Sequence, residues 1–443
     1  MRRGGIKHPA RLVPLAFLGI IALGTALLML PISSAGPGAA PLLTALFTAT
    51  SAVCVTGLVV VDTPTYWSTV GQWVILGLFQ AGGFGIMIGA TLLALMVSGR
   101  LNLGARLVAH AETRSGLGNV TGVIKVAVVA TLVVELVTAA ALSLRLRTGY
   151  GMDWGEAAWH GLFQSVSAFN NAGFSTWPDS LTRFANDPMF ILPITLAVLI
   201  GGLGFPVMHD LRRNGAAFSR WSLHTKITMA GSGLLVAAGA LGIGLYEWRN
   251  PDTLGAMDAT GKWTSVMFHS VAARTSGFNT IDMGATTIET QAIHWVLMFI
   301  GGGSASTAGG IRVTTFFLLG LAVWAEVSGD RDTVAFRRRI PEQSLRLAVA
   351  VVLMALTMLA LGTLALLSVT DFPLQDVLFE AISAGFTVGL STGITVQMPP
   401  AGQAILVGLM FVGRVGLATL ATALALRGNT KLYRYPEERP IIG

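Results

Sequence analysis

Four times along the chain, a short apolar stretch of helical character runs into a tight polar turn carrying one glycine. The turns are Val55-Thr56-Gly57-Leu58, Asn171-Ala172-Gly173-Phe174, Thr275-Ser276-Gly277-Phe278 and Thr387-Val388-Gly389-Leu390, so their glycines stand 116, 104 and 112 residues apart. A period sustained over the whole sequence constrains the fold more than any single motif, because each unit must build a copy of one structure. Polar turns set in apolar sequence have little use in a soluble core. Gathered round one axis, they can replace the water shell of an ion with backbone carbonyls.

The surrounding sequence belongs in a membrane. Of 443 residues, 53% are hydrophobic and 12% charged, about half the charged share of an ordinary globular domain. Apolar runs at 12–30, 120–144, 348–369 and 404–426, with a shorter one at 191–203, carry few ionisable groups. Most exceed the roughly 18 residues that mark a spanning helix. The expected class is an all-α polytopic membrane protein.

The net charge of +7 is sorted by segment. Arg2, Arg3, Lys7 and Arg11 are followed, in alternate segments, by Arg100, Arg106 and Arg114, by Arg212, Arg213, Arg220 and Lys226, by Arg331, Arg337, Arg338, Arg339 and Arg346, and by Arg427, Lys431, Arg434 and Arg439. The intervening segments hold Asp62, Asp153, Glu156, Asp179, Asp187, Glu247, Asp252, Asp258, Asp282 and Glu289. The positive-inside rule puts both termini and the basic loops in the cytoplasm. The Arg337, Arg338, Arg339 run belongs to this bias, so no nucleic-acid partner is expected. The first apolar run is long for a signal peptide and lacks a small-residue cleavage site, so it reads as a retained helix. A single cysteine, Cys54, and seven histidines without ligand spacing offer no disulfide framework or metal cluster.

Each unit reads as a spanning helix, a short helix, the turn and a second spanning helix. The units cover 11–99, 119–210, 225–327 and 342–427, between a cytoplasmic N-terminus (1–10) and C-terminus (428–443). The short helices are expected at 42–53, 154–168, 262–273 and 374–384. They are too brief to span and must be re-entrant, and non-helical backbone is tolerated at membrane depth only where protein buries it or it lines a watery cavity. Their partly negative C-termini would then face a cation. The expected architecture is four pseudo-symmetric M1–pore helix–filter–M2 repeats around one central pore. Its ligands would be main-chain carbonyls of Val55, Thr56 and Gly57, of Asn171, Ala172 and Gly173, of Thr275, Ser276 and Gly277, and of Thr387, Val388 and Gly389. Glycine permits the backbone angles that turn successive carbonyls inward. The turns carry no carboxylate ring, which argues against a calcium-type filter.

A second set of glycines lies 24 to 28 residues further on: Gly82-Gly83-Phe84-Gly85, Gly201-Gly202-Leu203-Gly204, Gly301-Gly302-Gly303 and Gly413-Arg414-Val415-Gly416. The first two clusters read as close helix packing. Without a preceding strand or an acidic ribose partner they do not bind dinucleotides. The third opens the run Gly301-Gly302-Gly303-Ser304-Ala305-Ser306-Thr307-Ala308-Gly309-Gly310. Glycine disfavours helix by about 1 kcal/mol relative to alanine, so this run is expected to leave the helix as a mobile loop below the turns. Arg414 is expected to face the interior, since a cation in the bilayer costs about 2.5–3.5 kcal/mol on insertion scales. There it would repel a passing cation until displaced. Glu380 is expected to orient the fourth turn, His269 and Arg274 to support the third, and Glu135 to pair with Lys125 or serve packing. No nucleophile–base pair, phosphate loop or ATPase motif is present, so the chain is not expected to be an enzyme.

These motifs resemble the Ktr/Trk/HKT superfamily of potassium transporters. The resemblance is carried by Ser51-Ala52-Val53-Cys54 before the first turn, Ser167-Ala168-Phe169-Asn170 before the second, Arg274 and Asn279 around the third, and Ser391 after the fourth. Ser306-Thr307-Ala308-Gly309-Gly310-Ile311-Arg312 and Gly413-Arg414-Val415-Gly416 complete it, in family order over essentially the whole chain and without the extra N-terminal hairpin of some members. It implies potassium uptake across the bacterial cytoplasmic membrane, with K+ at the filter carbonyls, no covalent cofactor, and Na+ as a coupling or activating ion. Gly57 implies potassium selectivity, because a serine there accompanies sodium permeation in plant relatives. The family's gating loop maps to 301–311 and its constriction arginine to Arg414. The family implies a homodimer among membrane lipids, regulated by a cytosolic ring of nucleotide-binding RCK subunits. Two departures stand out: Ser304-Ala305 replaces a usual Pro-Gly pair, and Ala384-Gly385-Phe386 reverses a usual Phe-Gly order. The competing reading is a sodium-permeable or poorly selective monovalent cation translocator.

Overall fold

A computed structural model describes residues 12–98 and 120–416. The expected cytoplasmic termini lie outside these residues, as do Arg100, Arg106, Arg114, Arg427, Lys431, Arg434 and Arg439 and the end of the 404–426 run.

The described chain is helical, with turns and one hairpin of two-residue strands, β1 (Val334–Ala335) and β2 (Arg338–Arg339). The first unit holds α1 (Leu12–Leu28), α2 (Leu42–Val53) and α3 (Thr69–Ser98). The second holds α4 (Val120–Tyr150), α5 (Trp154–Asn170), α6 (Pro188–Leu203) and α7 (Phe205–Asn214). The third holds α8 (Leu223–Glu247), α9 (Ala259–Ala272), α10 (Ile288–Ile300) and α11 (Val313–Val327), and the fourth α12 (Glu342–Leu367), α13 (Leu374–Gly385) and α14 (Pro400–Phe411).

Capping chemistry sets the short helices. The Asp153 and Asp258 carboxylates accept from the Gly155 and Gly261 amides at the starts of α5 and α9, satisfying donors that the helix leaves free. Proline, whose ring fixes φ, stands before α2 and α13 as Pro41 and Pro373. The Asp258 cap starts α9 three residues earlier than the sequence suggested, while α5 runs on to Asn170 and α13 to Gly385. With 12 residues each, α2 and α13 reach about 18 Å at 1.5 Å per residue, well short of the ~30 Å hydrocarbon layer.

Among the described residues, four helices are long and apolar enough to cross a membrane, or five if α6 and α7 form one span bent by 98°. Their outer faces expose Leu136, Val137, Leu241, Leu245, Leu361 and Leu364, an apolar surface suited to lipid. This is a multi-pass membrane protein. The second helix of the first unit, α3, is continuous; that of the second unit is not the continuous span the sequence suggested, and that of the third breaks at the run of small residues, as expected. Gly204, at φ 94°, ends α6 at a sharp bend, and α10 stops at Gly301, at φ 73°. From Val412 the fourth unit passes into a π-helical turn that carries Arg414.

Between units the packing follows one order. Helix α3 lies against α5, α6 against α9, α10 against α13, and α14 against α2, so the fourth unit meets the first. Aromatic contacts mark two of these seams: Phe79 with Phe163 at 5.6 Å, and Phe299 with Phe386 at 5.1 Å.

Candidate functional site

The short helices bring their four turns together. Gly57, Gly173, Gly277 and Gly389 sit at φ 96°, 72°, 69° and 95°, a region that glycine enters without the Cβ penalty. A Cβ on Gly57 would lie 2.5 Å from the Ala172 carbonyl oxygen, one on Gly173 2.8 Å from that of Ser276, and one on Gly277 2.9 Å from that of Val388. A Cβ on Gly389 would overlap the Thr56 carbonyl. The turns therefore form a closed ring in chain order, each glycine against the carbonyl that precedes the next glycine. On the side of the residues that follow, one cavity of about 160 Å³ is lined by all four glycines with Asp62, Ser175, Ser180, Asn279 and Ser391.

Three turns share a further feature. Val55, Asn171 and Thr387 lie two residues before their glycines at φ 55°, 59° and 51°, a conformation costing about 1–3 kcal/mol away from glycine. Serines of the short helices tie these turns. Ser51 and Ser383 accept from the Gly57 and Gly389 amides at 3.1 and 3.0 Å, and Ser167 donates to the Phe174 carbonyl at 2.8 Å. The third unit has Val271 in the matching place, and its Thr275 is not held at positive φ.

Buried polar side chains brace the segments beyond the ring. The Glu380 carboxylate accepts from the Thr392 amide at 3.1 Å and from the Ser391 and Thr395 hydroxyls. Nε2 of His269 accepts from the Thr280 amide at 3.1 Å. Gln164 Nε2 donates to the Ser175 hydroxyl at 2.9 Å. Glu380 and His269 thus act as the sequence suggested, whereas Gln164 was missed. The signal was present: a polar residue stands eight or nine positions before each of these glycines. Arg274 lies at the third turn, buried beside Asn171, Thr275 and Gly302, and its Nε has no hydrogen-bond partner among the described residues. Glu135 accepts from Gln80 and Asn170 at 3.1 and 3.2 Å, linking three helices. The Lys125 side chain lies outside the described residues.

Residues 301–312 leave the helix, as the run of small residues suggested. The segment is heavily tied. Gly303 and Thr307 donate from their amides to the Gly202 and Gly201 carbonyls at 2.8 and 3.3 Å, and the Ala305 carbonyl accepts from the Phe205 amide at 3.2 Å. Arg312, given no separate role in the sequence, donates to the Gly303 carbonyl and Ser306 hydroxyl at 3.3 Å each, and to the Ala308 carbonyl. Arg414 is 5% exposed. Its Nη1 donates to Thr387 Oγ1 at 3.2 Å and its Nη2 to the Thr307 carbonyl. Ala305 adopts φ 55°, where the resembled family carries glycine. Gly413 leaves room for the end of α13, since a Cβ there would overlap the Gly385 carbonyl.

Comparison with known proteins identifies the chain's relatives. The family model of TrkH, a cation transport protein, matches residues 15–431. The chain is 40% identical over 436 residues to Ktr system potassium uptake protein B of Bacillus subtilis (strain 168), covering 98% of this chain and 97% of that protein. It is 31% identical over 444 residues to Potassium/sodium uptake protein NtpJ of Enterococcus hirae, again covering 98% and 97%. Its fold matches the crystal structure of the potassium transporter TrkH from Vibrio parahaemolyticus with a TM-score of 0.75 at 17% identity, over 96% of this chain and 87% of that one.

Proposed function

This chain belongs to the TrkH family of cation transport proteins, and from that premise we propose that it takes up potassium across the bacterial cytoplasmic membrane. The family consists of transporters, not enzymes. In this reading the four units surround one central pore, and the carbonyls of 55–57, 171–173, 275–277 and 387–389 form its filter. The observation that carries it is the closed ring of four glycine turns, reached through a helix packing order in which the last unit meets the first. A ring of carbonyls dehydrates a monovalent cation without presenting fixed charge. The ends of α2, α5, α9 and α13 at the ring add partial negative charge there.

Loop 301–310 and Arg414 form the gate. The loop lies across the path beneath the turns, and Arg414 holds a positive charge beside it, which a cation must pass. The basic segments face the cytoplasm, with both termini there. The protein acts as a homodimer among membrane lipids and is regulated by a separate cytosolic ring of nucleotide-binding RCK subunits, the arrangement of a Ktr-like system. Sodium serves as a coupling or activating ion.

The test is flux in proteoliposomes, comparing potassium, rubidium and sodium at equal gradients. Potassium and rubidium should exceed sodium clearly. Equal sodium flux would favour the poorly selective translocator, a reading supported by the Enterococcus hirae relative's name as a potassium/sodium uptake protein. Gly277→Ser places a Cβ 2.9 Å from the Val388 carbonyl and should cut potassium-over-sodium selectivity about tenfold, the effect of roughly 1.4 kcal/mol. Unchanged selectivity would remove Gly277 from the filter.

A further inference from the structure

Side chains beneath the ring join the loop to the turns themselves. Asn171 Nδ2 donates to Thr307 Oγ1 at 2.8 Å, and Thr307 Oγ1 donates on to the Phe169 carbonyl at 3.2 Å. From the third turn, Thr275 Oγ1 donates to Asn171 Oδ1 at 3.2 Å. Arg414 bridges the Thr307 carbonyl to Thr387 Oγ1 in the fourth turn. One loop residue therefore engages three turns, directly or through one intermediary. Every member of this chain is buried: Asn171 and Thr387 at 1% exposure, Thr275 at 3% and Thr307 at 0%. Two of its members, Asn171 and Thr387, are also residues held at left-handed φ.

We propose that Asn171 and Thr307 are positioning residues that determine ion specificity, because the packed loop completes the geometry of the filter. The inference rests on the filter-and-gate reading above and extends it: the loop shapes the ring as well as obstructing the path. The dihedrals of a left-handed residue set the direction of its carbonyl and of the next one. At Asn171 the side chain is held chiefly by its 2.8 Å hydrogen bond to Thr307 Oγ1, with longer ones to the Phe169 and Val198 carbonyls, and at Thr387 by the hydrogen bond from Arg414. When the loop withdraws, Asn171 loses its bond to Thr307 and Arg414 loses its bond to the Thr307 carbonyl, so the second turn can relax and the arginine that holds the fourth is itself released on one side. Coupling of this kind is reciprocal, so an ion that favours the intact ring also favours the packed loop. The first turn, whose Val55 has no side-chain donor or acceptor, takes no direct part.

The experiment compares Thr307→Val, Thr307→Ser and Asn171→Gly with the parent in proteoliposomes, reading potassium and sodium uptake at equal gradients. Valine keeps the shape of threonine and removes its hydroxyl. Serine restores the hydroxyl, and glycine holds left-handed φ without the amide. Thr307→Val and Asn171→Gly should each lower potassium-over-sodium selectivity by about two- to tenfold, the size expected for one buried hydrogen bond. Thr307→Ser should remain near the parent. Unchanged selectivity in Asn171→Gly or Thr307→Val, whether or not the rate changes, overturns the coupling; if one variant does not fold, the other decides. A parallel deletion of 303–308 separates the two readings. If it fails to raise flux, the gate itself is wrongly assigned, whereas raised flux with unaltered selectivity in the point variants leaves the gate and removes the coupling.

Discussion

At single positions, strain shows where the structure is held by its neighbours. Ala305 occupies φ 55°, a conformation that costs an L-residue about 1–2 kcal/mol. The loop tolerates it because the Ala305 carbonyl is bonded by the Phe205 amide and the adjoining Ser304 hydroxyl shares a 2.8 Å hydrogen bond with Thr314. Replacing it by glycine relieves strain in the packed loop alone. We expect Ala305→Gly to favour that packed position and lower uptake without a regulator by roughly threefold to tenfold, since 1.4 kcal/mol is a factor of ten. Proteoliposome flux measures this directly. A rise in uptake would mean that added chain freedom outweighs the relieved strain. The sequence marked position 305 as a departure from family pattern, but its handedness was legible only once the backbone was known.

Elements were legible in proportion to how local their causes are. The short helices follow from apolar stretches bounded by Pro41, Asp153, Asp258 and Pro373, and the structure moves their ends by three residues or fewer. The interruptions of the second helices were not all legible. Hydropathy averages over a run, so the second unit reads on past 203 to 210 and 404–426 looks continuous, while the break at Gly204 depends on one dihedral angle and on the amide of Phe205 finding the Ala305 carbonyl. Close packing at the glycine clusters was the simpler inference and has a direct consequence. A Cβ on Gly201 would overlap the Phe169 carbonyl at the end of α5, whereas one on Gly320 in α11 meets nothing within 4 Å. Gly201→Ala should therefore destabilise the protein by about 1–3 kcal/mol through overpacking. Gly320→Ala should be neutral or stabilising by about 0.5–1 kcal/mol, as expected for glycine within a helix. Thermal unfolding in detergent distinguishes them, and equal shifts would show that the α5–α6 contact yields more readily than the backbone positions suggest.

Across the whole molecule, the ring was legible because the period of the sequence announced it, whereas the links that tie it together were not. Thr307 meets Asn171 across 136 residues, and Arg414 meets the Thr307 carbonyl across 107; no local pattern encodes such partners. Charge distribution is legible at this scale because it sums over many residues. The cavity on the far side of the ring from the loop holds a single carboxylate, Asp62, and no basic side chain among its lining residues. A concave site of one sign raises the local concentration of counter-ions. Its effect should be screened once the Debye length falls to about 3 Å near 1 M salt. Asp62→Asn keeps an acceptor for the Thr65 hydroxyl, which bonds this side chain, so the loop should hold its shape. We expect it to raise the potassium concentration for half-maximal uptake about two- to fivefold at low ionic strength, with the maximal rate unchanged and the difference vanishing in molar impermeant salt. A loss of maximal rate that persists at high salt would instead place Asp62 in the conduction step, because capture from solution is the step that long-range attraction accelerates.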